Sequence, residues 1–364
     1  MKRLALKRPV IAVAGSSGKT TTKEMLASIL QKRWKVFKSK ANKNDRADML
    51  KNVKQIRPNH KALVLEYGMS RRGNLRRSCQ ILRPNIGIIT MVGTAHIGNF
   101  GGAIGGLIRA KSELILNMKQ NGMLFVNADD SNSKRLITAK FRGKIVTVGI
   151  KNNAIYQAAN VKYTKNGMSF RVKLNAAYHD IYIPIYGIHN VYNALFAIAV
   201  SHSLGFFPHE IKAGLRTYKK PGRRLTVYHL KRNVRLIDDT FNANPNSVKA
   251  AVDVLSSIGK AANIAVLGNM SELGRYSESG HRAVGKYVAK KKLTYLVTYG
   301  SKARKIGVEA IAQGFRSGRV IHFGNRRLLH KRLKNIVSPA STILVKGSHN
   351  MRMGTTVKFL RKNV

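Results

Sequence analysis

The chain has 364 residues, enough for two domains of ordinary size that can each bury a hydrophobic core. Its hydrophobic content of 44% is that of a globular protein, and no apolar run approaches the ~20 residues of a membrane span. The single cysteine, Cys79, excludes an internal disulfide and a multi-cysteine zinc site and is compatible with a reducing cytoplasm, where we expect the protein to work.

The charge balance is strongly basic, with 67 Lys and Arg against 15 Asp and Glu and a formal net charge of +52. One interpretation is a solvated cationic surface; the other is attraction to a polyanion such as nucleic acid, an anionic polymer or a membrane surface. The basic residues are scattered along the chain, which favours a property of the whole surface. No zinc-finger spacing, RNA-binding aromatic motif or heptad repeat accompanies them.

The segment 10–22 predicts a nucleotide phosphate loop. A short apolar run, Val10 to Ala14, predicts a buried strand; a glycine turn follows, and apolar residues then recur at helical spacing. Backbone amides in such a loop bind phosphate, the lysine reaches the β- and γ-phosphates, and the threonine offers a hydroxyl to Mg²⁺. The match is partial because Val13 replaces the first glycine of the full pattern. The residues expected to bind the nucleotide here are Gly15, Ser16, Ser17, Gly18, Lys19, Thr20 and Thr21.

Polar side chains follow two further predicted strands. Glu66 ends the apolar run that begins at Ala62, and His96 follows the strand predicted over 85–90. Ligands of open α/β sheets bind at the carboxyl ends of strands, so we expect Glu66 to hold Mg²⁺ and His96 to bind metal or phosphate. The alternatives are a Glu66 paired with Arg71 or Arg72 and a purely structural histidine.

The order of predicted elements indicates an α/β protein. Strand–loop–helix units repeat over the first part of the chain and predict a doubly wound, mostly parallel sheet. Alternating segments over 153–185 predict a small antiparallel patch. A joint at Pro221–Arg224 then precedes a second α/β unit, so we predict domains 1–220 and 221–364.

The motifs resemble, in order and over nearly the whole chain, those of the Mur ligases, the ATP-dependent amide-forming enzymes of peptidoglycan precursor synthesis. They are most similar to the branch that adds D-alanyl-D-alanine. The segments that carry the resemblance are 15–22 (GSSGKTTT), 66–69 (EYGM), 95–96 (AH), 109–113 (RAKSE), 187–194 (GIHNVYNA), 238–245 (DDTFNANP), 267–274 (LGNMSELG) with His281, and 346–348 (KGS).

The resemblance implies a central phosphate-loop ATPase domain followed by a Rossmann-like C-terminal domain. It implies ATP and Mg²⁺ as cofactors, and a carboxylate acceptor and an amino-acid or dipeptide amine as substrates. ATP phosphorylates the acceptor carboxylate in this family, and the amine attacks the acyl phosphate, a sequence that needs strong stabilisation of phosphate charge.

The resemblance also assigns roles to individual residues. Lys19, His96 and Lys111 would be catalytic, with Lys111 at the position of a lysine that is carbamylated in the family; a plain solvated lysine is the alternative. The implied metal ligands are Thr20, Glu66, His96 and Lys111. Asn190 would contact adenine, Asp239 the ribose, and Arg223 or Arg224 the phosphates. Residues expected towards the amine are Asn242, Asn244, Glu272 and Lys346.

Two departures from the family pattern shape the expected acceptor. The family has an N-terminal domain that binds the UDP-sugar before the phosphate loop, whereas here the loop begins at Gly15 and only part of an asparagine-rich loop occurs at 41–45. We therefore expect ligase chemistry on a different, anionic or polymeric acceptor. The alternatives are a catalytically silent ATP-binding scaffold or polyanion-binding protein, and a nucleic-acid-dependent ATPase.

Overall fold

The computed structural model describes residues 6–41 and 43–364. The start of the basic segment 1–8 and Asn42 of the polar loop 41–45 lie outside the described residues. The chain forms two compact units. The first comprises the described residues up to His96 together with Ala103–Pro221, and the second comprises Ile97–Gly102 and Gly222–Val364.

The first unit is built on a nine-stranded sheet in the order β2-β3-β1-β4-β5-β6-β7-β8-β9. Neighbouring strands from β2 to β7 pair in parallel, and β7, β8 and β9 pair antiparallel. The strands are β1 (Val10–Ala14), β2 (Val36–Lys38), β3 (Ala62–Glu66), β4 (Ile86–Ile89), β5 (Met123–Asn127), β6 (Lys144–Gly149), β7 (Tyr156–Tyr163), β8 (Met168–Leu174) and β9 (Ala177–Ile183). The predicted parallel sheet with an antiparallel patch is confirmed.

The helices of the first unit cover this sheet. They are α1 (Lys19–Leu30), α2 (Arg46–Lys54), α3 (Asn74–Ile81), α4 (Ile104–Asn117), α5 (Ile188–Ser203) and α6 (Pro208–Arg216). α5 is apolar on most of its surface and is almost wholly buried, so it packs as a core helix with α1 against the sheet.

The second unit has a six-stranded sheet in the order β10-β11-β15-β12-β13-β14, in which only the β10–β11 pair is antiparallel. Its strands are β10 (Thr226–His229), β11 (Arg235–Asp239), β12 (Asn263–Gly268), β13 (Tyr295–Tyr299), β14 (Val320–Phe323) and β15 (Thr342–Lys346). Its helices are α7 (Pro245–Ile258), α8 (Ser277–Ala289), α9 (Arg304–Ala312), α10 (Arg326–Ile336) and α11 (Gly354–Asn363). The predicted second α/β unit is confirmed. Within the described part of the chain, no helix is both long enough and apolar enough to span a bilayer.

The structure contains short helices that the sequence pattern does not predict, and it fixes where the predicted ones begin. The loop predicted over 41–45 leads into α2, whose N-cap is Asp45, with its side chain accepting from the amide of Asp48 at 2.8 Å. α1 begins at Lys19, directly after Gly18, whose left-handed conformation ends the loop. Tertiary packing of a few apolar residues decides these helices, and periodicity alone does not show it.

Strand register brings the predicted site segments of the first unit to one edge of its sheet. In the parallel pairs, Val13 of β1 lies opposite Glu66 of β3, and Ala14 lies opposite Ile89 of β4. The phosphate loop, Glu66 and Thr90 therefore follow three adjacent strands at their carboxyl ends.

A buried lysine joins α1 to the segment after β2. The side chain of Lys23 is fully buried, and its ammonium donates to the carbonyl oxygens of Ser39 (2.5 Å) and Ala41 (2.6 Å). It also pairs with Glu24 at 3.0 Å. Ser39 in turn accepts from the amide of Glu66 through its Oγ at 3.0 Å. Lys23 therefore fixes the segment that borders the carboxyl end of β3.

Asp129 clamps the loop after β6 to the end of β5 and to α5. Its carboxylate accepts from the hydroxyl of Tyr192 at 2.6 Å and from the backbone amides of residues 150, 151 and 152 at 2.7, 3.0 and 2.7 Å. Burial by itself raises the pKa of Asp129, but these four hydrogen bonds to the charged form outweigh it and lower the pKa to about 2.

Replacing Lys23 by methionine is expected to destabilise the first unit by about 3 kcal/mol, because two carbonyl groups lose a charged donor in a site without water access. The measurement is urea unfolding followed by the fluorescence of Trp34, the only tryptophan of the chain, which packs edge-on against Phe206 in this unit. The matched control is Lys32→Met, at an exposed lysine just beyond α1, with an expected change within about 0.5 kcal/mol. Equal effects of the two substitutions would contradict the anchoring role.

Replacing Asp129 by asparagine is expected to lower the free energy of unfolding by about 1 kcal/mol at pH 7, a modest value because the carboxylate is partly exposed and screened by water. The pKa in the folded state lies below the ordinary 3.8. The stabilisation is therefore complete above about pH 4 and is lost as the pH falls towards about 2.

The same Trp34 unfolding curves, measured at pH 7 and at intervals below pH 4, test this. The difference in unfolding free energy between the wild type and Asp129→Asn should become smaller as the pH falls. The control Asp180→Asn, which removes one partner of an exposed ion pair on β9, should have an unfolding free energy close to the wild type at every pH. A gap that stays constant down to pH 2 would show that the charge of Asp129 contributes nothing.

Candidate nucleotide and metal site

The conformation of the phosphate loop depends on two glycines. Gly15 has φ +139° and Gly18 has φ +86°. A Cβ atom at Gly15 would lie 1.9 Å from Thr90 Oγ1, and one at Gly18 would lie 2.3 Å from Asn193 Oδ1. Both the backbone conformation and the close approach of neighbouring side chains exclude larger residues here.

The loop is fastened to the segment that follows β4. The amide of Ser16 donates to the carbonyl of Met91 at 2.9 Å, and its hydroxyl donates to the carbonyl of Gly93 at 2.9 Å. Thr90 Oγ1 donates to the carbonyl of Ser17 at 2.6 Å. These contacts set the loop at the start of α1, where the first-turn amides and the helix dipole favour an anion.

Lys19 and Thr20 occupy the first turn of α1. The ammonium of Lys19 donates back to the carbonyl of Gly15 at 2.9 Å, so it lies over the loop. Thr20 is 3% exposed and donates its hydroxyl hydrogen to Glu66 Oε2 at 2.7 Å. Thr21 is also buried in this turn.

Glu66 is a buried carboxylate at the centre of this arrangement, with only 2% of its surface exposed. Its second oxygen, Oε1, accepts from the side-chain nitrogen Nδ2 of Asn44 at 2.7 Å. The structure thus pairs Glu66 with Thr20 and Asn44, which differs from the alternative pairing with Arg71 or Arg72. A carboxylate beside a threonine hydroxyl supplies the hard oxygen donors that Mg²⁺ binds.

Lys111 lies on α4 with 1% of its surface exposed. Burial and then the positive charge of Lys19 lower the pKa of Lys111 to about 7, although Asp130 acts in the opposite direction. The predicted alternative, a plain solvated lysine, is wrong for this position. A lysine with this pKa is partly neutral at physiological pH, and only the neutral amine is nucleophilic.

His96 lines a cavity of about 140 Å³ beside Lys19. The residue has φ +62°, a conformation rare for a non-glycine residue. Two further cations, Arg46 and Arg77, line the same cavity together with the polar side chains of Ser70 and Asn74. Asp45 lines it too, so the cavity beside the phosphate loop is bordered by the cations Lys19, Arg46 and Arg77 and by one carboxylate.

The donor set fits a metal only in part. Among residues 6–41 and 43–364, no group of three His, Cys, Asp or Glu side chains is arranged to hold a metal ion. The donors beside the loop are the hydroxyl of Thr20 and the carboxylate of Glu66, which suit Mg²⁺ when phosphate oxygens complete its coordination. A carbamate on Lys111 would add a further anionic oxygen donor.

The side-chain amide of Asn190, at the start of α5, is engaged within the chain. Its nitrogen donates to the carbonyl of Tyr186 at 2.7 Å, and its oxygen accepts from Asn193 at 2.9 Å. Asn193 Oδ1 in turn accepts from Thr22 at 3.2 Å. The predicted contact between Asn190 and adenine stays a prediction; in the structure, Asn190 and Asn193 connect α5 to the phosphate-loop helix.

In the second unit, Lys346 and the partly exposed Asp239 form an ion pair at the ends of β15 and β11. Lys346 Nζ is 2.5 Å from Asp239 Oδ2 and also donates to the carbonyl of Asn242 at 2.9 Å. Lys346 is 2% exposed. The predicted ribose role of Asp239 and substrate role of Lys346 stay predictions, and the structure adds that the two side chains hold each other.

The other predicted residues of this unit lie near the same strand ends. Arg223 donates to the hydroxyl and carbonyl oxygens of Thr240 at 3.1 and 2.7 Å, and the guanidinium carbon of Arg224 lies 4.0 Å from the ring centroid of Phe241. Asn244 caps α7 by accepting from the amide of Ser247 at 3.0 Å.

Hydrogen bonds to Gly98 and His281 hold the segment 269–274. The backbone of Glu272 has φ +63°, and its carbonyl accepts from the amide of Gly98 at 3.1 Å. His281 is fully buried, accepts from the amide of Met270 through Nε2 at 3.0 Å, and contacts the carbonyl of Ser277 through Nδ1 at 2.6 Å. Burial lowers the pKa of His281, which favours the neutral ring that this pair of hydrogen bonds requires.

Sequence reasoning missed several residues that the structure places in the site. Asn44 holds Glu66, Asn193 borders Gly18, and Arg46 and Arg77 line the cavity. Asn193 had a detectable signal, since it stands three residues after Asn190 on the same helical face. Asn44 lay in a segment predicted only as a polar loop, and nothing in its spacing linked it to Glu66.

Comparison with protein families identifies both parts of the chain. The Mur ligase middle domain matches residues 13–201, and the family described as "Mur ligase, glutamate ligase domain" matches residues 223–349. The first match covers the phosphate loop, Glu66, His96, Lys111 and Asn190.

The chain is similar to characterised relatives over almost all of its length. It is 32% identical to UDP-N-acetylmuramoyl-tripeptide–D-alanyl-D-alanine ligase of Bacillus subtilis, covering 96% of this chain and 75% of the relative. It is 31% identical to the Escherichia coli enzyme of the same name, covering 97% of this chain and 77% of that enzyme.

Solved structures agree with these matches. A crystal structure of MurF from Acinetobacter baumannii superposes with a TM-score of 0.90 at 30% identity, covering 97% of this chain and 76% of that one. MurF from Thermotoga maritima, crystallised with ADP, shares the fold with a TM-score of 0.87 at 24% identity and covers 98% and 80% of the two chains. The predicted likeness to the D-alanyl-D-alanine-adding branch is confirmed, and the chain belongs to the Mur ligase family.

Proposed function

We propose that the chain is an active ATP-dependent ligase that joins a carboxylate acceptor to the amine of an amino acid or dipeptide and forms ADP and phosphate. The observation that carries the proposal is the buried Thr20–Glu66 contact beneath the phosphate loop, together with the buried Lys111. Burying a carboxylate and an amine beside an anion site costs free energy, and groups of this kind cluster at functional sites.

The residues of the first unit would divide the work of the first step. Backbone amides from Gly15 to Thr21 and the ammonium of Lys19 would bind the nucleotide phosphates. Thr20 and Glu66 would hold Mg²⁺, with His96 supporting a second ion; when bound, these ions would neutralise the charge that develops during phosphoryl transfer. The terminal phosphoryl group of ATP would pass to the acceptor carboxylate and give an acyl phosphate and ADP.

Lys111 would act as a carbamate. The ammonium would first lose one proton to solvent; the neutral nitrogen would then attack carbon dioxide, forming the N–C bond as one C=O π bond breaks, and a second proton would leave the nitrogen. The side chain would thus change from a cation to an anion with the release of two protons. The pKa of about 7 means that the neutral amine is well populated at physiological pH. The carbamate would supply an anionic metal ligand from α4, where position 111 is a lysine and not an Asp or Glu.

The cavity beside Lys19 suits an anionic acceptor. Arg46 and Arg77 line it and would position the acceptor's carboxylate groups towards the phosphate loop. The net charge of +52 favours acceptors that carry several negative charges, including polymeric ones. We therefore propose this cavity as the binding surface of an anionic acceptor.

Residues of the second unit would serve the nucleotide and the amine. We keep the predicted division into an ATP-binding domain (1–220) and a C-terminal domain (221–364) and the predicted roles of its residues. Asp239 and Arg223 or Arg224 would contact the nucleotide, and the amine would lie towards Asn242, Asn244, Glu272 and Lys346. The relatives' name gives D-alanyl-D-alanine as the first amine to test.

We also propose that the protein works in the cytoplasm, because its single cysteine is compatible with a reducing compartment.

The direct test is release of phosphate from ATP with Mg²⁺, measured for pairs drawn from a panel of acceptors and amines. The acceptors are UDP-N-acetylmuramoyl-tripeptide and polymeric polycarboxylates, and the amines are D-alanyl-D-alanine and single amino acids. Release that requires both members of one pair, with a product mass equal to their sum less water, is expected.

Lys111→Ala is expected to lower kcat for that pair at least ~100-fold, since it removes one anionic donor from the metal site. The matched control, Lys51→Ala at an exposed position on α2, should retain wild-type kcat. ATP binding without phosphate release for any pair would contradict the ligase proposal and favour the scaffold. Release stimulated by nucleic acid alone would favour the nucleic-acid-dependent ATPase.

A further inference from the structure

The surface formed by α10 and α11 combines cations that have no carboxylate partner among the described residues with a pair of aromatic rings. It comprises Arg326, Arg327, His330, Lys331, Lys334 and Phe359, which line a depression of about 530 Å³. No Asp or Glu occurs in the sequence after Glu309. Among the described residues, no carboxylate forms an ion pair with any of the four Arg and Lys side chains of this α10–α11 surface.

The few acids of the chain neutralise cations on other surfaces. Surface ion pairs between described residues include Arg33–Glu210, Lys38–Glu24, Arg282–Glu278 and Lys291–Asp253. The field of the α10–α11 surface is therefore uncompensated locally, and the low dielectric of the protein beneath it strengthens that field.

The cations of α10 are arranged along the helix in a row. Arg327, Lys331 and Lys334 stand at positions i, i+4 and i+7 and are exposed. From Arg326 to Lys334 the helix rises about 12 Å. A row of cations of this length can contact successive negative charges of an extended polyanion.

A stacked ring pair lies among these cations. His330 and Phe359 are parallel, with ring centroids 4.1 Å apart and an interplanar angle of 10°, and the ammonium of Lys334 lies 5.7 Å from the Phe359 centroid. Both rings are only partly buried. Aromatic surface within a cationic groove is typical of sites that bind single-stranded nucleic acid, where phosphates contact the cations and bases contact the rings.

The apolar side of α10 argues against a membrane as the occupant. Leu329, Leu333 and Ile336 are buried in the core of the second unit, so they are not available to enter a bilayer. The exposed side of the helix offers charge and only one large apolar side chain, Leu328.

We propose that the α10–α11 surface binds single-stranded nucleic acid, with phosphates on Arg327, Lys331 and Lys334 and a base against the His330–Phe359 pair. The site is separate from the residues proposed for ligase chemistry. Binding there would hold the protein on a polyanion without occupying the phosphate loop.

The experiment is fluorescence anisotropy of labelled oligothymidylate of 20 nucleotides with the full chain over a range of salt concentrations. The combined variant Arg327→Gln, Lys331→Gln, Lys334→Gln is expected to weaken binding at least ~10-fold at 0.1 M salt and to reduce the slope of log Kd against log salt by about 2. Thermal unfolding and ATP binding of this variant should match the wild type.

The matched control is Lys140→Gln, Arg142→Gln, Lys144→Gln, which removes one Arg and two Lys at exposed positions of the first unit. An equal loss of affinity in both variants would show binding by overall charge and overturn the proposal. Binding of phosphatidylglycerol vesicles that depends on α10, without binding of the oligonucleotide, would overturn it as well.

A second probe tests the base contact. An abasic 20-mer with the same number of phosphates is expected to bind at least ~5-fold more weakly than oligothymidylate, because stacking of one base is lost. Equal affinity for the two strands would overturn the assignment to nucleic acid and leave only attraction to phosphate.

Discussion

The hydrogen bond between Thr20 and Glu66 is the interaction on which the rest of the proposed site depends. It joins the first turn of α1 to the end of β3, and it requires the parallel register that sets Val13 opposite Glu66. A buried carboxylate is costly unless its oxygens are bonded, and here Thr20 and Asn44 occupy one oxygen each. The buried Lys23 fixes the segment that leads to Asn44, so a structural cation and a site carboxylate are coupled through one short stretch of chain.

The scarcity of acids in this chain makes each remaining carboxylate informative. Asp129 fixes the loop after β6, and Asp130 accepts from the amide of Val92 at 2.7 Å and so holds the segment beside the phosphate loop. Asp239 pairs with Lys346 between two strands of the second sheet. Several acids organise strand ends and others form surface ion pairs on helices, whereas the α10–α11 surface has none.

Much of the fold was predictable because buried parallel strands leave a strong signal. The runs Val10–Ala14 and Ala62–Leu65 are apolar throughout and are followed by chemically distinctive residues, so the sheet and the placement of Glu66 followed from the sequence. A helix such as α2 did not, because its only buried side chains, Met49 and Asn52, give little periodicity.

Contacts between distant segments were harder to predict than the elements. The approach of Asn193 to Gly18 and the bond from Asn44 to Glu66 depend on packing across the unit, which residue spacing does not encode. The burial of Lys111 belongs to the same class, since its helix shows a lysine among apolar residues but not what covers it. Motif order identified the family, and the structure supplied the partners of each motif residue.

The most direct measurement of the central claim is the affinity for ATP by calorimetry, with Mg²⁺ and with EDTA, for the wild type and Glu66→Gln. The wild type should bind ATP more tightly with Mg²⁺ than with EDTA. In the variant, the ratio of the Kd in EDTA to the Kd with Mg²⁺ should be at least ~10-fold smaller, while the Kd in EDTA stays the same. Unfolding followed by Trp34 verifies that the variant is folded. A Glu66→Gln protein that keeps the full Mg²⁺-dependent gain would contradict the assignment of Glu66 and Thr20 as the metal-binding pair.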